Sequence, residues 1–213
     1  MGIAERRERE RIQRQQDILN AAEKIIFSKG LDQATMDEVA EEAELSKGTL
    51  YLYFKSKEEV YLAITHRGLI ILESIFRKAV GDQVSGLEKV FRLGMAFYHF
   101  SQEYPNYFNA LSYYELKNTE EIENWETVQA CSCTGQQVLD ILIQAIAEGV
   151  KDQSIRPEID PPRMALVLWG MTAGIIQLVI QKGEHLSESH AFNLNGLVEE
   201  SFQVFRCALE NKG

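Results

Sequence analysis

Proline, cysteine and strand-like alternation are all scarce in this chain. Four prolines in 213 residues leave long stretches unbroken. Val/Thr-rich alternating runs are almost missing, which excludes a sandwich or barrel and predicts an all-α chain. Three cysteines, an odd number, make no disulfide framework. Cys131 and Cys133 stand two positions apart, on nearly opposite faces of a helix, and cannot jointly clip a metal. With Cys207 they read as ordinary thiols of a reducing, cytoplasmic protein. No Gly-rich phosphate loop, GxSxG or HExxH is present, and no Cys/His cluster completes a ligand set around His185 and His190. No catalytic residue, metal or cofactor is therefore expected, and the chain is not read as an enzyme. The longest apolar run, Met164–Ile180, is interrupted by Thr172 and Gln177. It falls short of the roughly 20 residues a bilayer needs, so Gly170-x-x-x-Gly174 reads as close helix packing, with no membrane partner. The N-terminus lacks an apolar signal-peptide core, and Arg6 stands where a myristoylation signal wants Ser or Thr.

What is present is acidic: the net charge is −10. Even residues 1–60 carry ten Lys/Arg against thirteen Asp/Glu. Placement matters more than the sum. Arg6, Arg7, Arg9, Arg11 and Arg14 form a basic N-terminal arm, and Lys47, Lys55 and Lys57 cluster further on, a locally basic footprint on an acidic body.

The densest information lies between Ala34 and Glu58. Thr35 and Glu38 make a capping box, and Met36, Val39, Ala40 and Ala43 then repeat as one apolar stripe of a short helix. Ser46 is a good N-cap for a second short helix, in which Leu50 and Phe54 face inward. Lys47, Gly48, Thr49, Tyr51 and Tyr53 are left to face out. Small, polar and aromatic residues on such a helix suit entry into a DNA major groove, so the pair reads as a helix-turn-helix.

The run Thr35…Val39-Ala40…Ala43…Leu45-Ser46-Lys47-Gly48-Thr49-Leu50-Tyr51…Tyr53-Phe54-Lys55-Ser56-Lys57-Glu58 resembles the DNA-binding domain of the TetR family of bacterial transcriptional regulators, over roughly residues 10–65. Tyr53 stands where the family often has His. The resemblance implies operator contacts from Thr35, Lys47, Gly48, Thr49, Tyr51, Tyr53 and Lys57, with Tyr53 and Lys57 on phosphates and Lys47 and Thr49 on base edges. It also implies about nine helices: a three-helix DNA-binding domain over 1–56, then a helical effector-binding and dimerisation domain over 57–213. A helix over 57–80 joins the two.

Further helices are expected at about 9–28, 86–103, 105–117, 120–149, 160–183 and 190–211, with Gly30 ending the first in a left-handed turn. The helix after Pro161-Pro162 is apolar nearly all round and needs a second surface to cover it. The family pairs its last two helices with their symmetry mates, which implies a homodimer through Gly170, Gly174, Ile175 and Leu178, and through Leu194, Leu197, Val198, Phe202 and Phe205. The aromatic-rich middle admits two readings, ordinary core or an apolar effector cavity. The second assigns Phe97, Phe100, Tyr104, Phe108, Trp125, Gln129 and Trp169 to a small, mainly apolar ligand. The expected function is a repressor on double-stranded operator DNA, released by that effector. The alternative is a helical interaction protein that keeps a helix-turn-helix without sensing a ligand.

Overall fold

The computed structural model describes residues 2–81, 83–116, 125–190 and 194–212, with side chains left aside at 114–116, 125, 181–190 and 194–195. Within these the chain is helical: α1 (Ile3–Lys29), α2 (Met36–Glu42), α3 (Lys47–Tyr53), α4 (Lys57–Ala79), α5 (Gly86–Glu103), α6 (Pro105–Leu116), α7 (Trp125–Lys151), α8 (Pro161–His190) and α9 (Leu194–Leu209). It divides into two compact units, Met1–Gly68 with Asn106–Cys133, and Leu69–Pro105 with Thr134–Gly213. The division falls inside α4 and α7, so each of these helices contributes to both units.

The first unit is larger than the 1–56 reading head expected from sequence. Its core joins Ile18, Ala22 and Ile26 of α1, Val39 and Ala40 of α2, Leu50 and Phe54, and Val60 and Ile64 of α4 to Ala110 of α6. Tyr107 explains why α6 belongs here. Its hydroxyl donates to Glu23 Oε1 at 2.8 Å, and its ring meets Phe27 edge-on at 5.3 Å. Arg67 closes the same network on Glu23 at 3.0 Å and on Asn20 Oδ1 at 2.9 Å. Burial, then the Glu23 contact, pushes the Tyr107 phenol up to about 12.

α1 also begins six residues before the expected Arg9, because ion pairs one turn apart, Arg6–Glu10 at 2.7 Å and Glu8–Arg11 at 2.9 Å, carry the helix through the arm. Gly30 ends it at φ +83, a conformation that favours glycine.

The second unit is fastened at two glycines. A Cβ on Gly86, at the start of α5, would lie 2.0 Å from the Gly149 nitrogen of α7, so the two backbones touch. The Gly86 amide donates to Asp152 Oδ2 at 2.7 Å, and the Leu87 amide donates to Ser154 Oγ at 3.1 Å. Burial pushes the Asp152 carboxyl up, but hydrogen bonds from Ser154 and from the Gly86 amide outweigh it and hold the group below its ordinary value. A short antiparallel bridge, Ile155 to Glu210, ties the end of α9 to the same loop.

Candidate nucleic-acid interface

α2 starts at Thr35 because the threonine Oγ1 accepts from the Glu38 amide at 3.3 Å while Glu38 Oε2 accepts from the Thr35 amide at 3.0 Å. Lys29 binds the other Glu38 oxygen, and these contacts together hold that carboxyl down at about 2. The turn that follows puts Glu44 at φ +54 and returns the Leu45 amide to the Ala40 carbonyl at 2.8 Å. Ser46 then caps α3, its Oγ accepting from the Thr49 amide at 3.1 Å. Leu50 and Phe54, both fully buried, fix which face of α3 turns outward.

That outer face carries Lys47 and Gly48, both exposed, with Thr49, Tyr51 and Tyr53 half-buried at its flanks. Leu52, which sequence reasoning passed over, is 76% exposed at its centre. The signal for it was available: two residues from both Leu50 and Phe54, it must point away from the core. An apolar side chain there suits contact with a thymine methyl.

Thr35, Lys47, Tyr51 and Lys57 line one open groove together with Ala34, Met36, Asp37, Lys55 and Ser56. Gly48, Thr49 and Tyr53 lie outside that lining. Lys47 bonds Asp37 at 2.6 Å, which raises the ammonium pKa. Lys57 donates to the Leu31 carbonyl at 2.7 Å and the Asp32 carbonyl at 3.3 Å, so its ammonium also ties down the loop before α2. Three of the four α2 carboxylates are neutralised locally: Asp37 by Lys47, Glu38 by Lys29 and Glu42 by Lys24. An acidic sequence thereby presents a groove whose lysines are not outnumbered.

The effector and pairing residues distribute differently from expectation. Phe97 and Trp169 stack at 4.7 Å and line an apolar pocket of the second unit with Phe76, Phe91, Gly94 and Phe202. Thr172 is its polar lining residue. The space left for the centre of a water-sized sphere is only about 30 Å³, enough for one or two waters. Phe100 is fully buried and stacks between Phe97 and Tyr104, beside the pocket. Phe108 is buried and Gln129 exposed, both within the first unit, and the Trp125 side chain lies outside the described residues. Phe97, Phe100, Tyr104 and Trp169 thus fall in the second unit, and Phe108 and Gln129 in the first.

On α8, Gly170, Gly174 and Leu178 are exposed with Leu166, Val167 and Met171, while Ile175 is half-buried. On α9 the expectation needs correction. Val198, Phe202 and Phe205 are buried in their own protomer, and Leu197 is half-buried. The exposed stripe is instead Glu200, Val204, Cys207 and Ala208, with Val204 63% exposed. Leu194 has its side chain outside the described residues.

The sequence model of "Bacterial regulatory proteins, tetR family" matches residues 18–64. An uncharacterized HTH-type transcriptional regulator of Haemophilus influenzae is 30% identical over 108 residues, 50% of this chain and 58% of that protein. The chain spans 27% and 41% of the length of two further curated relatives. The HTH-type transcriptional repressor KstR2 of Mycolicibacterium smegmatis is 25% identical over 69% of this chain and 70% of its own. The structure of FadR from Bacillus subtilis in complex with stearoyl-CoA superposes with a TM-score of 0.67 at 18% identity, covering 89% of this chain and 96% of that one. At that identity the likeness is one of fold.

Proposed function

We propose, from the premise that residues 18–64 are the DNA-binding region of a tetR-family regulator, that this chain is a homodimeric transcriptional repressor acting on operator DNA in the cytoplasm. The observation that carries the reading is the recognition helix: α3 is capped by Ser46, anchored by Leu50 and Phe54, and turns Lys47, Gly48 and Thr49 outward beside a lysine-lined groove. Two such helices one helical turn apart, about 34–36 Å, would read a two-fold operator. The exposed apolar stripe of α8 is the surface we assign to pairing. Pro161–Ile180 is long and apolar enough to cross a membrane by length and composition; we assign its exposed face to a second copy instead. Among the described residues no group of three or more His, Cys, Asp or Glu is placed to hold a metal, and the relatives carry regulator names.

Variants of the recognition helix test the DNA reading. Thr49→Ala or Lys47→Ala should relax preference at particular operator positions, by about 1–3 kcal/mol per lost base contact. Lys57→Ala should weaken binding to all sequences alike and lower the salt slope by about one. Fluorescence anisotropy with operator and scrambled duplexes separates the two classes. Wild-type binding by all three variants would remove α3 from the interface.

Release by a small, mainly apolar effector is the second half of the proposal, supported by the Phe97–Trp169 pocket and by the stearoyl-CoA complex of the FadR relative. Its small volume requires side chains such as Phe202 to move before a ligand enters. α4, unbroken from Lys57 to Ala79, is the element we assign to carry the change. In a Trp125→Phe variant the remaining tryptophan, Trp169, should report a binding acyl-CoA by a change in emission. A compound that lowers operator affinity tenfold must bind the DNA complex tenfold more weakly, about 1.4 kcal/mol of coupling. No emission change across an acyl-CoA series from short to long chains would exclude this ligand class.

A further inference from the structure

The inner face of α1 changes character along its length. Ile18, Ala22 and Ile25 face the core of the first unit. Continued toward the N-terminus at the same helical spacing, the face reads Arg14, Arg11 and Arg7, where every side chain from Ile3 to Arg14 is exposed. These twelve residues form about 18 Å of helix beyond the packed part. Two of the arm's carboxylates are engaged off the stripe, Glu10 on Arg6 at 2.7 Å and Glu5 on the Gly2 amide at 3.0 Å, whereas Glu8 pairs with Arg11 of the stripe at 2.9 Å. Arg7 and Arg14 have no carboxylate partner among the described residues. Besides Glu8, the groups acting on the Arg11 guanidinium are the Glu126 carboxylate and the phenol of Tyr53, the last residue of α3.

We infer that residues 3–14 are a second DNA-binding element, a helical strut whose Arg7–Arg11–Arg14 face binds phosphodiester groups flanking the operator half-site. The inference rests on the DNA-binding reading above. The strut supplies phosphates only, which adds affinity and salt dependence without base preference. It also places positive charge toward the duplex on a chain whose net charge of −10 otherwise repels it.

Two double variants of equal charge change isolate the face. R7Q/R14Q removes two arginines from the stripe, whereas R6Q/R9Q removes two from the other sides of the same helix. The probe is a duplex recovered by the wild-type full chain from a random library, used at full length and trimmed by about 5 bp, half a turn, at each end. R7Q/R14Q should weaken binding about tenfold or more at low salt. It should also lower the log–log salt slope by about 2 per engaged arm, at roughly 0.9 per phosphate. The base preference of the selected site should be unchanged, and trimming should no longer matter to this variant. R6Q/R9Q should stay within about threefold of wild type and remain sensitive to trimming. Circular dichroism checks that both variants keep their helix. Equal losses from the two pairs would overturn the face assignment, and no loss from either would remove the strut from the DNA. Failure of the wild-type chain to enrich any duplex would instead remove the DNA-binding reading itself.

Discussion

Gly174→Arg should yield a folded protomer that no longer pairs and no longer holds operator DNA. A Cβ at Gly174 meets nothing within 4 Å in its own chain, so the substitution costs the protomer little. Leu166, Val167, Met171 and Leu178 surround that position on an exposed apolar stripe. If two copies cover the stripe, each introduces an unpaired charge into the seam, at a cost of several kcal/mol. A monomer engages one half-site, so operator affinity should fall about 100-fold or more, the equivalent of about 2.7 kcal/mol or greater. Light scattering should give the monomer mass with the helical signal unchanged. A variant that stays dimeric and binds normally would move the pairing surface off α8.

Gly86→Ala should have a larger effect on stability than a methyl added at any other glycine whose surroundings the structure describes. The new Cβ would sit 2.0 Å from Gly149 N, 2.3 Å from Gly149 Cα and 2.6 Å from the Ala145 carbonyl. All three are backbone atoms and cannot rotate away, so α5 and α7 must part. Parting them also strains the Asp152 and Ser154 bonds to the first amides of α5. Overpacking of this kind costs about 3 kcal/mol, which lowers the melting temperature by roughly 6–12 °C for a chain of this size. Calorimetry reads the shift directly. A melting temperature within about 2 °C of wild type, less than about 1 kcal/mol, would show that the two helices do not meet at their glycines.

Much of the reading head was legible because its signals are local. Thr35 with Glu38 and Ser46 with Thr49 set the starts of two helices from residues three apart, and the spacing of Leu50 and Phe54 chose the buried face. What required three dimensions was partnership over long separations. Periodicity put Phe202 and Phe205 on one face of α9 but could not tell a protomer core from a pairing surface; the close approach of Gly94 to the Phe202 ring decides for the core. The aromatics from Phe97 to Phe108 are close in sequence, and only the fold shows that the division between the two units passes between Pro105 and Asn106. Lys57 was assigned to phosphate from its place in the motif, and only the fold reveals the Leu31 carbonyl it also holds. The expected start of the first helix at Arg9 left out residues 3–8 because the pairs that stabilise this turn are ionic rather than apolar.

Selection of duplexes from a random library by the full chain, followed by sequencing, addresses the DNA-binding assignment most directly. A dimer that places one α3 in each of two major grooves should enrich an inverted repeat whose half-site centres lie about 10–10.5 bp apart, or a multiple of that. Enrichment of no sequence, or only of single asymmetric sites, would contradict it.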